Sequence, residues 1–113
     1  MPTYQMKLSK EPFEKIASGQ KIIESRLYDE KRQQINIGDC VEFVQNDDSN
    51  KTISAKVKAL YRYSSFDDLF SDFPPEFFGG VSKEILIEEI KNFYSVEEEQ
   101  RYGVVGIKIE LLQ

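Results

Sequence analysis

Histidine is missing from this sequence altogether, and cysteine occurs once, at Cys40. Without histidine there are no histidine general bases, no cysteine–histidine or serine–histidine nucleophile pairs, and no histidine-containing metal sites. A single cysteine can form neither an internal disulfide nor one of the common structural zinc sites. Any chemistry must therefore come from lysines, carboxylates, hydroxyls or the one thiol, and we expect no cofactor and no metal.

Long apolar runs are also missing. No stretch approaches the roughly 20 consecutive apolar residues that a membrane-spanning helix needs. Residues 1–11 lack the basic-then-apolar pattern of a signal peptide. Together with the single cysteine, these absences favour a cytoplasmic protein without a membrane partner.

Positive charge is scarce, since 15 lysines and arginines face 20 aspartates and glutamates, a formal net charge of −5. A protein that binds nucleic acid through its whole surface normally carries clustered positive charge. The acidic total argues against such a protein, but it allows a local basic patch.

The sequence does contain enough apolar material for one folded domain. Its 113 residues are 40% hydrophobic and 12% aromatic, which suits a single core. We expect one domain over residues 1–113. Nothing in the pattern indicates an oligomeric state.

Alternating and helical patterns predict a mixture of strands and helices. Strands are predicted at residues 3–8, 21–28, 35–44, 51–63 and 102–112. Helices are predicted at residues 11–18, 65–73, 82–94 and 95–102. This order predicts an α+β fold in which the last strand rejoins the early sheet. Several antiparallel strands and a terminal strand favour a small mixed β-barrel with helices covering its openings.

The predicted second strand carries charges in an otherwise apolar segment. Glu24 and Arg26 alternate with Ile23 and therefore share one face of the strand. Strict alternation puts Lys21 on the opposite face, so it can reach Glu24 only from the loose start of the strand or across a bulge.

Two interpretations of these charges stay open at this point. They form a same-face surface ion pair, worth about 0–1 kcal/mol, beside a solvated Lys21. Alternatively, they line a pocket in which Arg26 recognises phosphate or carboxylate in a bidentate manner and Glu24 accepts from an amide or amine. In the pocket interpretation Lys21 adds a mobile donor.

The segment "SGQKIIESRLYDEKRQQINIGDCVEF" resembles the signature of the ASCH domain family, which belongs to the PUA-like superfamily. The family pattern is G-x-K-x-x-E-x-R, a turn, and then I-x-x-G-D-x-I-x-F. The matching positions are Gly19, Lys21, Glu24, Arg26, Ile35, Gly38, Asp39, Val41 and Phe43. The closing segment Tyr102–Ile109 is also similar to the last strand of the family.

The resemblance implies a PUA-like β-barrel with a cleft beside the strand that carries the motif. It also implies a binding module for RNA, a nucleotide or a modified nucleoside. The motif residues Lys21, Glu24 and Arg26 would lie at that cleft. We take these residues together with Tyr28 as the candidate ligand-binding set.

Enzymatic alternatives follow from the same resemblance. One small bacterial relative is an amidohydrolase acting on acetylcytidine, with a catalytic set similar to a lysine, a threonine three positions later and a more distant glutamate. Lys21 matches the lysine, but Glu24 stands in place of the threonine, and Glu76 lies only near the position of the second acid. A hydrolase would therefore use Lys21 and Glu24 as its catalytic residues. A ribonuclease, an activity reported in another branch, has no distinct residue set here.

Three smaller expectations concern local structure. Gly38 and Asp39 most simply make a turn, in which Asp39 caps backbone amides. The loop at residues 76–80 is either a mobile lid or an anchored loop whose phenylalanines fill the core. If Lys21 belongs to a site, its replacement by methionine should weaken binding while stability stays level or rises.

Overall fold

The structure is a computed structural model that describes residues 2–112. Within these residues the chain forms one sheet, four helices and two 3₁₀ turns. The strands are β1 (Thr3–Leu8), β2 (Ile23–Leu27), β3 (Cys40–Gln45), β4 (Asp48–Tyr63) and β5 (Val104–Leu111). The helices are α1 (Lys10–Ala17), α2 (Phe66–Ser71), α3 (Lys83–Ile90) and α4 (Val96–Tyr102), and the 3₁₀ turns are Arg32–Gln34 and Pro75–Phe78. The predicted α+β class is confirmed.

The sheet has the order β1-β3-β4-β5-β2 and curves into a half-barrel. β1 runs parallel to β3, and the remaining neighbours are antiparallel. The last strand, β5, lies between β4 and β2, so it does rejoin the early sheet as its pattern predicts. β1 and β2 are the two edge strands, and the gap between them, which we call the seam, is where the half-barrel stays open.

Apolar side chains pack on both faces of the sheet. One core cluster joins α1 to the sheet through residues such as Phe13, Ile16 and Phe43. The other joins α2 and α3 to β2 through residues such as Ile23 and Leu69. β2 is therefore covered on its Ile23 face.

The other face of β2 carries the charges. Glu24 pairs with Ile107 of β5, and Arg26 pairs with Val105. Directly paired residues of antiparallel strands lie on the same side of a sheet, and Val105 and Ile107 belong to the α1 core cluster. Glu24 and Arg26 thus lie on the α1 side of the sheet, next to the seam.

The helix N-termini follow the local sequence closely. Ser65, Ser82 and Ser95 each accept a hydrogen bond from a backbone amide three residues later, and Ser95 forms a reciprocal capping box with Glu98. The predicted helix over 82–94 is too long, because α3 ends at Ile90. None of the helices in residues 2–112 has the length and hydropathy needed to cross a membrane.

The turn before β3 is built as its sequence predicts. Gly38 has a positive φ of 96°, which a glycine adopts without steric cost. The Asp39 carboxylate accepts a hydrogen bond from the Asn36 amide at 2.9 Å. This confirms a structural role for both residues.

Candidate functional site

A buried carboxylate between two cations forms the centre of the site. The Glu24 side chain is 5% exposed, and its Oε1 lies 2.7 Å from Lys21 Nζ. Its Oε2 lies 2.6 Å from Arg26 Nε. The Lys21 and Arg26 side chains are each 13% exposed. The three charged side chains therefore converge, a point that sequence spacing left open. Because all three are largely buried, they are not a surface ion pair beside a solvated lysine.

Lys21 reaches Glu24 because it precedes the strand. β2 begins at Ile23, and α1 has ended at Ala17. Between them, the Lys21 amide bonds to the Lys15 carbonyl at 3.0 Å, which turns the chain back toward α1. Because Lys21 lies outside the strand, strand alternation does not place it on the Ile23 face, and it reaches Glu24 without a β-bulge.

The 76–80 loop packs against this turn. The Ile22 amide donates to the Phe77 carbonyl at 2.9 Å, and Lys15 Nζ donates to the Gly79 carbonyl at 2.7 Å. Phe78 is buried in the core cluster on α2 and α3. An added Cβ at Gly79 would lie 3.2 Å from the Lys21 Cβ. The loop is therefore anchored, and it holds the stem of Lys21 in place.

The electrostatics keep Glu24 ionised. Burial alone would raise the pKa of the Glu24 carboxyl, but the Lys21 ammonium and the Arg26 guanidinium outweigh it and lower the pKa to about 2. For Arg26, burial lowers the pKa, while the Glu24 carboxylate and the Tyr94 phenol raise it more strongly. At neutral pH the site holds a carboxylate that accepts hydrogen bonds and does not donate them.

Arg26 also spans the seam. Its Nη2 donates to the backbone carbonyl of Lys7 in β1 at 3.1 Å. The Arg26 guanidinium thus links β2 to β1 through Nη2 and binds its neighbour Glu24 through Nε.

A cleft of about 380 Å³ opens above these residues at the seam. The cationic side chains that line it, among residues 2–112, are Lys7, Lys15, Lys21 and Arg26. The aromatic side chains that line it are Phe70, Phe78, Phe93 and Tyr94. Glu24, Asn46 and Asn92 add polar acceptors and donors. The cleft therefore combines a charged floor with aromatic walls.

Sequence reasoning missed the wall contributed by the segment after α3. Helical spacing puts Phe93 on one side of the predicted helix 82–94 together with Leu86 and Ile90, whereas it lies beyond the end of α3 and is 71% exposed at the cleft. Tyr94 follows the end of α3, and its ring stacks on Phe66 of α2 at a centroid distance of 5.6 Å. The sequence offered one signal: Ser95, as the N-cap of α4, needs extended backbone geometry, which separates α4 from the helix before it.

Tyr28 lies apart from the residues it was grouped with. Its ring contacts the Arg62 guanidinium, 4.2 Å from the ring centroid, and its amide bonds to the Gly103 carbonyl. The lining of the cleft does not include it within the described chain. Residues 2–112 also contain no cluster of three or more cysteine, aspartate or glutamate side chains placed to hold a metal ion.

Known proteins share both the sequence family and the fold. The family model of the ASCH domain matches residues 6–113. The crystal structure of hypothetical protein PH0355 is 38% identical with a TM-score of 0.87, covering 98% of this chain and all of that one. The solution structure of protein PF0455 from Pyrococcus furiosus is 38% identical with a TM-score of 0.79, covering 99% of each chain.

A more distant likeness extends the comparison of the fold. The crystal structure of ASCH from Zymomonas mobilis is 14% identical with a TM-score of 0.58, covering 96% of this chain and 66% of that one. Among curated proteins there is no match. Because the family model spans nearly the whole sequence and the fold agrees with it, this chain belongs to the ASCH domain family.

Proposed function

We propose that this protein binds one nucleotide unit in the cleft, as part of RNA or as a free nucleotide or modified nucleoside. The observation that carries the proposal is the ionised Glu24, held by Lys21 and Arg26 at the floor of a cleft with aromatic walls. ASCH domains are generally thought to bind RNA, and this arrangement agrees with that role.

The size of the cleft suits a ligand of this kind. Small-molecule sites typically measure about 300–1,000 Å³, and the cleft has about 380 Å³. Phe93 is an exposed aromatic at its rim, and exposed aromatics give bases a surface for stacking. A single base with its sugar fits better than a base pair.

The floor offers complementary hydrogen bonding to a base. The Glu24 carboxylate retains lone pairs for an exocyclic amino group, because each of its oxygens pairs with one cation. Lys21 and Arg26 supply donors to a ring carbonyl or a phosphate oxygen. A base edge that carries an amino group next to a carbonyl oxygen or ring nitrogen would pair with the Glu24 carboxylate and with the Lys21 and Arg26 donors.

The hydrolase alternative has less support. A carboxyl with a pKa of about 2 is a weak general base near neutral pH. Glu24 occupies the position of the threonine hydroxyl in the resembled amidohydrolase, and Glu76 is exposed and outside the lining. Turnover of acetylcytidine therefore serves as an outcome of the test, together with cleavage of RNA.

The test is a calorimetric titration with the four nucleosides, their monophosphates, acetylcytidine and short single-stranded RNAs, with mass spectrometry of each mixture for products. Phe93→Ala and Glu24→Gln should each weaken binding at least tenfold, about 1.4 kcal/mol, since base stacking contributes about 1–3 kcal/mol. Ile37→Ala is the control, because Ile37 is 66% exposed and lies outside the cleft. The proposal is wrong if none of these ligands binds, or if Phe93→Ala and Glu24→Gln bind as well as the control.

A further inference from the structure

A second concave surface adjoins the cleft along the open edge of the sheet. We call it the groove, and its lining comprises Thr3–Lys7 of β1 with Arg26, Lys31 and Arg32. Its volume is about 500 Å³. A strand of this length extends for roughly 17–20 Å, so the groove is elongated along β1.

The groove is positively charged although the protein is acidic. Lys7, Arg26, Lys31 and Arg32 line it, and no carboxylate belongs to its lining within residues 2–112. Arg32 pairs with the nearby Asp29 at 2.9 Å and Arg26 pairs with Glu24 at 2.6 Å, so the net positive charge of the groove comes from Lys7 and Lys31. In a chain with a net charge of −5, this is a local basic surface of the kind that attracts anions.

Two of these cations, Lys7 and Lys31, retain accessible donors for a ligand. Lys7 and Lys31 are exposed, and neither forms an ion pair within the described residues. Arg32 is bound to Asp29 through Nη1, and its Nε is buried away from the groove surface.

The groove and the cleft are continuous. Lys7 and Arg26 line both of them, and they are joined by the hydrogen bond from Arg26 to the Lys7 carbonyl. If one base of a strand occupies the cleft, the phosphates on either side of that base therefore lie next to the groove.

We propose that the groove binds the phosphodiester backbone of a single-stranded RNA whose base occupies the cleft. This inference rests on the proposed function, and it narrows the ligand from a free nucleoside to a strand. Lysine and arginine side chains that neutralise phosphates release counterions, so binding of the strand weakens with salt in proportion to the number of phosphates neutralised.

A pair of charge reversals tests the groove without touching the cleft. Lys31→Glu changes a residue that lines only the groove, and Lys58→Glu changes an exposed lysine of β4 outside both linings. The probes are the four nucleoside monophosphates and four homopolymeric RNA tetranucleotides, measured at several salt concentrations. Circular dichroism and thermal unfolding verify that both variants fold.

The expected result separates the two variants. Lys31→Glu should weaken tetranucleotide binding at least tenfold more than Lys58→Glu does, and it should flatten the salt slope by about 0.7 for each phosphate that the variant no longer neutralises. Monophosphate binding should stay within twofold of the wild type. Equal effects of the two reversals, or a wild type that binds tetranucleotides no more tightly than monophosphates, would overturn the groove while leaving the proposed function intact. A wild type that binds neither probe overturns the groove, and it overturns the proposed function as well if the nucleosides and acetylcytidine also fail to bind.

Discussion

Arg26 of β2 donates a hydrogen bond to the backbone carbonyl of Lys7 in β1, 19 residues earlier in the chain, at 3.1 Å. These strands are the two edges of the sheet, so a side chain bridges the seam that the backbone leaves open. The same guanidinium pairs with Glu24. The charged floor of the cleft and the link between the two edge strands thus depend on one arginine.

Replacing Arg26 by lysine should loosen β1. An ammonium can pair with Glu24, but it lacks the planar fork that reaches the Lys7 carbonyl at the same time. Hydrogen bonds involving a charged group contribute about 1.5–3 kcal/mol, and we expect a stability loss of about 1–2 kcal/mol. Amide hydrogen exchange should accelerate in β1 and stay unchanged in β4. Arg101→Lys, at an exposed position of α4, is the control, and unaltered exchange in β1 would disprove the bridge.

The ionisation of Glu24 should appear in the pH dependence of stability. Its pKa is about 2 in the folded protein against 4.5 for the ordinary group. A lowered folded pKa contributes stability that is complete above the unfolded value and disappears as the pH falls toward the folded one. The difference in unfolding free energy between the wild type and Glu24→Gln should therefore be constant above about pH 5.5 and decrease by about 3 kcal/mol between pH 4.5 and 2.

Chemical denaturation at a series of pH values measures this difference. Glu14→Gln, which changes an exposed carboxylate of α1, provides the comparison. A difference between the wild type and Glu24→Gln that does not change with pH would show that Glu24 is not a buried, paired carboxylate.

The structure predicts that Lys21→Met lowers the free energy of unfolding. From the sequence, Lys21→Met is predicted to leave stability level or higher if Lys21 belongs to a site, because functional sites often hold partly desolvated charges at a cost in stability. In the structure Lys21 is 13% exposed and lies 2.7 Å from a buried carboxylate. Loss of one partner of a buried pair costs about 3–5 kcal/mol, and because Arg26 still pairs with Glu24 we expect about 1–3 kcal/mol.

Thermal and urea unfolding measures this loss of stability in Lys21→Met, with Lys58→Met, which changes an exposed lysine, as the control. The double variant Lys21→Met with Glu24→Gln should recover part of the loss, since no buried carboxylate is left with a single partner. A Lys21→Met protein as stable as Lys58→Met would support the expectation from sequence against the one from structure.

Alanine variants of two glycines with nearly equal φ values distinguish backbone strain from steric contact of the added methyl group. Gly79 and Gly19 have φ values of 80° and 83°, so alanine is strained by about 1–2 kcal/mol at either position. A Cβ at Gly79 meets Lys15 and Lys21 at 3.2 Å, while a Cβ at Gly19 meets no atom of residues 2–112 within 4 Å. Gly79→Ala should therefore lose more stability than Gly19→Ala.

The same pair tests whether the loop positions Lys21 for the ligand. Binding of the nucleotide found by titration should weaken several-fold in Gly79→Ala and stay unchanged in Gly19→Ala. Equal binding by the two variants would mean that the 76–80 loop does not set the position of Lys21.

Features that depend on neighbouring residues were readable from the sequence. A serine oxygen and an amide three residues later meet in any helix start, so the caps at Ser65, Ser82 and Ser95 follow from local order. Strand alternation likewise places Glu24 and Arg26 on one face, because successive side chains of a strand point to opposite sides. The end of α3 was misjudged because the spacing of Phe93 fits a helical face, and spacing says nothing about where the chain turns.

By itself, then, the sequence determined the α+β order, the capped helices and the shared face of Glu24 and Arg26, since these follow from short-range geometry. The tertiary structure decided that Lys21 joins them, because the 76–80 loop packs on the turn before β2 through the bond from Ile22 to the Phe77 carbonyl. It also decided that Arg26 crosses the seam and that Tyr28 stacks with Arg62 instead of lining the cleft. Each of these contacts joins residues at least 19 positions apart. Such contacts form only when the whole chain packs, and local propensity carries no information about which distant segment arrives.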